Sequence, residues 1–342
     1  MHTYFPSLST RSFAAGSGLL MTLVAMFALL LLHCSKPTPL PEGDPGNAGI
    51  AVPEGFAVTV FADTLGRARH LAVNDQGDVY VKLRVPAPGG ENVALRDTNN
   101  DGHADLIRYF GVYPGDGKYG TAMRIYQNYL YFTTAGEVYR LKLTPGQLVP
   151  QGEAELMLKD DYENAEHGYE HIAKPLAFDN KGNMYVPFGS PGDVCQVDNR
   201  KPGSPGQDPC PELEMHGGVW QFDADKPGQT QQDGRRYATG IRSLVAMAWN
   251  DREQSLYAVQ HGRDDFVRTW PGLYSAWQSA LLPSEEFLKI EEGSDAGWPY
   301  YYYDHMQGKK VLNPEYGGAG KKTRKGAEYT QPPPGFPGPR AP

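Results

Sequence analysis

A run of histidine and glutamate in the middle of the chain has the residue types of a proton-transfer site. His167-Gly168-Tyr169-Glu170-His171 lies directly before an apolar strand pattern that begins at Leu176. A histidine titrates near neutral pH and accepts a proton, and a neighbouring carboxylate can orient its ring. His171 and His167 are therefore both candidates for a general base, and Glu170 is a candidate for the orienting carboxylate. By residue type alone, a surface histidine without a role fits the run as well.

A second group of polar residues flanks a predicted β-hairpin. Residues 244–249 and 255–260 show apolar side chains at roughly every second position and are separated by a polar turn, which is typical of two paired strands. Arg242 precedes the hairpin, and the polar run 260–265 follows it. Polar groups at the open ends of an apolar hairpin indicate a functional site.

This hairpin is one of four similar units. An apolar strand, a polar turn and an aromatic-rich strand recur from His70, Met123, Leu176 and Val245, with starts 53, 53 and 69 residues apart. Strand-built repeats of this length are typical of propeller blades, because each sheet buries its faces only against neighbouring sheets. The repeat predicts an all-β propeller, and a β-sandwich with chance similarity between hairpins is the alternative.

The first fifty residues predict export and a tether. Residues 1–34 contain one arginine and an apolar run at 19–32, which has the length of a signal-peptide core. Residues 31–34 resemble a bacterial lipobox with Cys34 as the lipidated residue, although His33 stands where a small residue is usual; an uncleaved signal anchor is the alternative. Residues 35–50 are rich in proline and glycine and predict a flexible tether. We expect an exported protein in the periplasm or on the outer surface, held to the membrane by a lipid.

Composition and cysteine usage limit the remaining classes. A net charge of −8 with mostly scattered basic residues argues against a nucleic-acid partner. With 40 Gly and 29 Pro among 342 residues, residues 51–342 predict one domain rich in turns. Cys195 and Cys210 frame a proline- and glycine-rich loop and predict a structural disulfide; a metal site there would need more ligands than the nearby His216.

Residues 97–105 have the spacing of a calcium-binding loop. The pattern supplies oxygen ligands at alternate positions and a glycine for the sharp turn. The glutamate that closes an EF-hand is absent, because that position is Arg108. A structural Ca²⁺ and a plain polar turn between strands therefore both remain open, and the candidate ligands are Asp97, Asn99, Asp101 and Asp105.

Taken in order, these motifs resemble the soluble PQQ-dependent sugar dehydrogenases, within them the glucose/sorbosone dehydrogenase group. The family signature stands here as Gly240-Ile241-Arg242-Ser243, then Gln260-His261-Gly262, then Pro283-Ser284-Glu285, then Gly297-Trp298-Pro299. This sequence departs from the family at Ser243, which replaces an asparagine, at Gln260, which replaces a glutamate, and at Ala296, which replaces a tyrosine. Phe287 and Leu288 also fill positions that are usually isoleucine and asparagine in the family. The resemblance covers roughly residues 51 to 340.

The resemblance implies a six-bladed β-propeller that binds PQQ and Ca²⁺ and oxidises an aldose or a related sugar aldehyde or alcohol. His171 would take the hydroxyl proton, with Glu170 beside it, and Arg242 would stabilise negative charge on the cofactor. An arginine paired structurally with Asp264 or Asp265 is the alternative. A cytochrome or quinone would accept the electrons. The remaining implied contacts are Ser243 and, more weakly, Arg69 for the cofactor, and the backbone carbonyls of Gly262 and Arg263 for the catalytic Ca²⁺.

Blade starts near residues 55, 120, 165, 217 and 245 leave room for five blades. The proline-rich passage 330–342 leads into a further blade in the family, so the sequence predicts a propeller truncated at its C-terminus, without its last blade or blades. Two other functions remain open. One is a non-catalytic cell-surface propeller that binds carbohydrate or a protein partner, and the other is a lactonase-type propeller hydrolase, for which Glu170 alone supplies too few carboxylates.

Overall fold

A computed structural model describes residues 42–111, 121–160 and 170–318. The chain divides into two compact units, Met1–Val60 and Phe61–Pro342. In the described part of the first unit, Pro45–Gly49 forms a short 3-10 turn, and the backbone N–H of Val60 donates to Asp44. Cys34, the predicted signal peptide and residues 319–342 lie outside the described residues. None of the described helices has the length and apolar composition that a membrane span requires.

The second unit is a series of antiparallel sheets that follow one another along the chain. Each of the first two sheets is built on a four-stranded meander, and a later strand of the chain adds a fifth strand to the second sheet. Sheet 1 contains β1 (Ala68–Val73), β2 (Val79–Ala87), β3 (Gly90–Arg96) and β4 (Leu106–Phe110), and sheet 2 contains β5 (Met123–Tyr126), β6 (Tyr129–Thr133), β7 (Glu137–Lys142) and β8 (Glu155–Lys159).

The next two sheets carry the candidate site. Sheet 3 contains β9 (Ala177–Phe178), β10 (Asn183–Phe188), β11 (Gly218–Asp223) and β13 (Arg235–Thr239). Between β11 and β13 the chain forms β12 (Gln229–Thr230), which pairs in parallel with β8 of sheet 2. Sheet 4 contains β14 (Leu244–Asn250), β15 (Ser255–Gln260) and β16 (Glu286–Ile290). The strand β17 (Ser294–Asp295) pairs in parallel with β13, and β18 (Tyr301–Asp304) pairs with β19 (Lys309–Leu312).

Short helical segments interrupt the loops. Between β15 and β16 lie α1 (Phe266–Thr269) and α2 (Ala276–Leu281), and three 3-10 turns occur at Pro211–Glu214, Gln231–Asp233 and Pro314–Tyr316. The second helix has a capping box, in which Ser275 accepts a hydrogen bond from the Gln278 N–H. Such a cap satisfies one backbone donor that a helix start otherwise leaves unpaired.

Polar side chains at the hairpin turns explain why the repeated units form. In the turn between β9 and β10, Asp179 accepts hydrogen bonds from the backbone of Lys181 and Asn183, at 2.8 and 2.9 Å. Asn74 accepts in the same way from Gln76 and Asp78 between β1 and β2. These side-chain contacts mimic a backbone turn and fix where each strand pair reverses.

The hydrophobic core lies between successive sheets. One buried cluster joins Tyr80 of sheet 1 to Phe132 of sheet 2, a second joins Tyr131 to Phe188, and a third joins Tyr185 of sheet 3 to residues of sheet 4. Each sheet therefore buries its faces mainly against its neighbours in the series, which is how propeller blades are stabilised.

The prediction of an all-β, propeller-like fold is confirmed, with four blades formed by the described residues. The four repeated units correspond to the hairpins β1–β2, β5–β6, β9–β10 and β14–β15. A blade start near residue 217 is wrong, because Gly218–Asp223 is the third strand of sheet 3. The count of six blades stays a prediction.

Candidate functional site

The loops before β9, after β10 and before β14 bring His171 and Arg242 together around Gly189. The backbone N–H of Ser190 donates to the carbonyl of Arg242 at 2.8 Å. A Cβ atom added to Gly189 would lie 2.3 Å from the carbonyl oxygen and 2.8 Å from the Cβ of His171, and 3.1 Å from the carbonyl of Arg242. Only a residue without a side chain fits between the two predicted site residues.

The imidazole of His171 is oriented by Ser190. Its Nδ1 lies 2.8 Å from the Ser190 carbonyl oxygen and 2.9 Å from the Ser190 hydroxyl, which itself donates to the Gly192 carbonyl at 2.7 Å. A carbonyl oxygen can only accept, so Nδ1 must carry the proton. The lone pair of the neutral ring is therefore on Nε2, and Nε2 is the atom that can accept a proton.

The surroundings of His171 favour its neutral form. Burial, and after it the positive charge of Arg242, lower the pKa of His171 to about 4, against opposing contributions from Ser190, Asp193 and Glu170. Burial penalises the charged imidazolium, which is why the pKa falls. At neutral pH the ring is deprotonated and available as a base.

Glu170 does not orient His171, and this part of the prediction is corrected. Its carboxylate accepts hydrogen bonds from Arg200 Nε at 2.9 and 3.1 Å and from Asn199 Nδ2 at 2.7 Å. A guanidinium offers two charged donors in a fixed fork, which a carboxylate prefers to a neutral imidazole. The competing base, His167, lies outside the described residues.

Arg242 is buried in a network of acceptors. Its Nη2 donates to Asp193 Oδ1 at 2.6 Å and to Asp264 Oδ1 at 3.2 Å, its Nε to the Asp193 carbonyl at 3.2 Å, and its Nη1 to the Gly262 carbonyl at 3.2 Å. The alternative of a structural pair with Asp264 is therefore seen, together with a shorter pair to Asp193. The backbone N–H of Arg242 donates to Gln260 Oε1 at 3.0 Å, so Gln260 also belongs to the site.

Asp193 is the main site residue that the sequence analysis missed. It is fully buried, and the Trp298 indole N–H donates to its carbonyl at 2.9 Å. Burial alone would raise the pKa of the Asp193 carboxyl, but the charges of Arg242, Arg263 and Arg200 outweigh burial and hold that pKa below its usual range. Asp193 lies two residues before Cys195 in a long loop without strand pattern, so only its proximity to the cysteine distinguished it.

Of the two backbone carbonyls predicted to hold the catalytic Ca²⁺, that of Gly262 does not fit the ion as it stands. It already accepts from the Arg242 guanidinium, and a second cation on that oxygen would lie beside a buried positive charge. The Arg263 side chain pairs with Glu315 at 2.7 and 2.8 Å, and the role of the Arg263 backbone carbonyl stays a prediction. Among the described residues, no group of three or more His, Cys, Asp or Glu side chains is arranged to hold a metal.

The two remaining cofactor candidates differ in position. Ser243 is buried beside Arg242, and its carbonyl accepts from the His261 backbone N–H at 3.0 Å. Arg69 is exposed on β1. The structure brings Ser243 to the site, and the contact of Arg69 with the cofactor stays a prediction.

In the candidate calcium loop the polar side chains cap the turn itself. Asp97 accepts from the backbone N–H groups of Asn99, Asn100 and Gly102, and Asp101 accepts from that of His103. Asp105 accepts from Thr98, and these hydrogen bonds lower the pKa of the Asp105 carboxyl. A polar turn explains this geometry, and the calcium ion stays a prediction.

The Cys195 and Cys210 sulfurs are joined in a disulfide. The bond closes the loop that supplies Asn199 and Arg200, so it contributes to the site and not only to the scaffold. Near the loop, a half-open cavity of about 180 Å³ is lined by Asp208, Tyr300, Tyr301, Leu312 and Tyr316.

No family model and no curated protein sequence matches this chain. Solved structures do match. The Trichoderma reesei structure of Carbohydrate-Active Enzymes family AA12 aligns with a TM-score of 0.60 at 13% identity, over 82% of this chain and 69% of that one. The holo form of the pyranose dehydrogenase PQQ domain from Coprinopsis cinerea aligns with a TM-score of 0.55 at 13% identity, over 80% of this chain and 65% of that one. At these identities the likeness establishes a shared fold, and it agrees with the resemblance of the sequence motifs.

Proposed function

We propose that this chain is an oxidoreductase that oxidises an aldose, or a related sugar aldehyde or alcohol, with PQQ as the electron acceptor. The observation that carries the proposal is that His171, with a neutral imidazole, and Arg242 both pack their backbones against Gly189, and that the Arg242 charge is close enough to act on the His171 ring. The fold shared with a PQQ domain and with a family AA12 enzyme supports it, as do the sequence motifs around Arg242.

In this proposal the chain supplies the proton acceptor and the positive charge. Bound PQQ would supply the two-electron oxidant for the hydride of the sugar C1–H bond. Nε2 of His171 accepts the hydroxyl proton as that bond breaks, because Nδ1 is already protonated towards Ser190. Arg242 holds a fixed positive charge near the reacting centre, which stabilises developing negative charge without reorganisation.

The residues fit PQQ in part. The neutral imidazole of His171 and the positive charge of Arg242 close to it suit hydride transfer to a quinone. PQQ is a tricarboxylate, however, and most N–H groups of Arg242 already donate to Asp193, Asp264 and Gly262. Anchoring of the cofactor carboxylates therefore needs cations beyond Arg242.

Calorimetric titration of PQQ into the purified chain, with and without CaCl₂, is the first test. Dye-linked oxidation of a panel of aldoses would follow, using wild type, His171→Asn and the matched control His261→Asn, whose ring is exposed and contacts Glu285. We expect PQQ binding, turnover in wild type and in the control, and loss of turnover with retained binding in His171→Asn. A folded chain that binds no PQQ would contradict the proposal.

A non-catalytic propeller that binds carbohydrate or a protein partner is the second candidate. The saturation of Arg242 by two carboxylates favours it, because a guanidinium neutralised in this way attracts an anionic cofactor less strongly. In that case, sugars or a partner would bind without dye reduction, and His171→Asn would leave binding unchanged.

We also propose that the protein is exported and held to a membrane by a lipid on Cys34, and that a cytochrome or quinone accepts its electrons. The lipobox-like residues 31–34 support the anchor. Metabolic labelling with a fatty-acid analogue, in wild type and Cys34→Ala, tests it, and equal labelling of both would contradict it.

A further inference from the structure

A cluster of charged side chains centred on Arg200 lies beside the site and has no role in the chemistry proposed above. The Arg200 Nε donates to Glu170 at 2.9 and 3.1 Å, and its Nη1 donates to Asp265 at 2.5 Å and Asp264 at 3.3 Å. Its Nη2 lies 2.8 Å from Glu170 and 3.7 Å from Asp193. One guanidinium thus bridges four carboxylates, which come from three separate loops.

The contact between Arg200 and Glu170 bears on the candidate base, because Glu170 is the neighbour of His171 in the chain. Glu170 directly precedes His171 in the chain, so its carboxylate is a ready partner for the imidazole. It is instead held by Arg200 and Asn199, both inside the loop closed by the Cys195–Cys210 disulfide. The Nδ1 of His171 is left to Ser190, whose carbonyl and hydroxyl are both uncharged.

The charge at Glu170 matters because a carboxylate within about 4–6 Å of an imidazole favours its protonated form. The charged groups that act on His171 are Arg242, which lowers its pKa, and Asp193 and Glu170, which raise it. Arg200 contacts both of these acids. Without the Arg200 guanidinium, Glu170 would lose its counter-charge, whereas Asp193 would still pair with Arg242.

We propose that Arg200 is a positioning residue. It holds the Glu170 carboxylate away from His171 Nδ1 and balances the negative charge of that carboxylate, so that Ser190 orients a neutral imidazole ring. The catalytic meaning of this role rests on the proposed function, since a base must be deprotonated to accept a proton. The electrostatic role itself does not depend on any reaction.

The test is an NMR titration of the His171 ring, assigned by comparison with His171→Gln, in the full chain without cofactor. In Arg200→Gln we expect the pKa of His171 to rise by roughly one unit or more. In the double variant Arg200→Gln/Glu170→Gln it should return towards the wild-type value. The matched control is Arg268→Gln, because Arg268 pairs with Asp265 in the same network but not with Glu170, and it should leave the pKa unchanged.

Two results would overturn the proposal: an unchanged His171 pKa in Arg200→Gln, or a raised pKa that the added Glu170→Gln does not reverse. If Arg200→Gln fails to fold, Arg200→Lys decides, since it keeps the charge but loses the two-pronged contact. We expect a smaller rise of the His171 pKa in Arg200→Lys, and no rise there would refute the role.

The outcome is separable from that of the proposed function. Absence of sugar oxidation in wild type would contradict the enzyme, while the NMR titration would still decide the role of Arg200. If wild type is active, the acid limb of its pH–rate profile should move to higher pH in Arg200→Gln by the same amount as the measured pKa. A purely structural role would lower activity without that shift.

Discussion

Replacing Glu315, in the chain that follows β19, by glutamine should strongly destabilise the fold. The Glu315 side chain is fully buried and accepts from Arg263 at 2.7 and 2.8 Å, from the Trp270 indole at 2.7 Å and from Gln196 at 3.3 Å. Arg263 is itself only 3% exposed. The pair joins the loop after β15 to the chain that follows β19.

The magnitude follows from the charge that would be left behind. In Glu315→Gln the Arg263 guanidinium keeps Asn313 and the Phe266 ring, whose centroid is 4.6 Å away, but loses its counter-charge. Breaking one side of a buried ion pair costs about 3–5 kcal/mol of unfolding free energy. Domains have about 5–15 kcal/mol in total, so the variant should be marginally stable.

The assay is urea unfolding followed by far-UV circular dichroism, with unfolding free energies extrapolated to water. The matched control is Glu285→Gln, whose pair with His261 is about half exposed on both sides and should contribute at most about 1 kcal/mol. A double variant, Arg263→Met/Glu315→Leu, should lose less than Glu315→Gln alone, because no charge is orphaned. Equal losses in Glu315→Gln and Glu285→Gln would refute the reasoning.

Three further predictions concern the site. Gly189→Ala should lose about 1–3 kcal/mol of unfolding free energy and most turnover, because its Cβ would collide with His171; Gly272→Ala, where no atom lies within 4 Å of the added Cβ, is the control in the same urea and dye assays. Cys195→Ala/Cys210→Ala should lose about 3 kcal/mol by the loop-closure relation, and an unchanged urea midpoint would contradict it. The pKa of His171 is about 4 in the folded protein and 6.5 in the unfolded chain. Between these pH values the unfolded state binds more protons than the folded state. The contribution of His171 to the unfolding free energy is therefore fully present above pH 6.5 and is lost as the pH falls towards 4. His171→Gln should reduce that acid loss and His261→Gln should not; parallel pH–stability curves for His171→Gln and wild type would contradict it.

The parts of the fold that were predicted from sequence are those that local patterns encode. The hairpin over 244–260 and its three counterparts follow from alternating apolar residues and from turn residues such as Asp179, which act within a few positions. The prediction of a blade start near residue 217 was wrong because the third strand of one blade and the first strand of the next show the same alternation of apolar and polar residues. Which sheet a strand joins depends on pairing across tens of residues, as β12 shows by pairing with β8.

The sequence located two main site residues along the chain but did not predict which side chains contact them. His171 and Arg242 were predicted because each lies shortly before a strand pair with a clear pattern and because the motifs around them resemble those of a known family. Ser190, Asp193 and Arg200 lie in the long loop between β10 and β11, where no periodicity marks them, and their roles come from contacts with residues up to 105 positions away. The orienting role given to Glu170 failed for the same reason, since its true partner is a distant arginine.

The charge balance around Arg242 accounts for one departure of this sequence from the dehydrogenase signature. Gln260 stands where the family has a glutamate, and its amide oxygen accepts the Arg242 backbone N–H at 3.0 Å in a buried position. Arg242 already faces two carboxylates, Asp193 and Asp264. A third buried negative charge would lack a cation and cost several kcal/mol, whereas the neutral amide keeps the hydrogen bond without adding charge. The substitution therefore preserves the geometry at the end of β15 while leaving Arg242 paired with Asp193, the carboxylate that the loop after β10 provides.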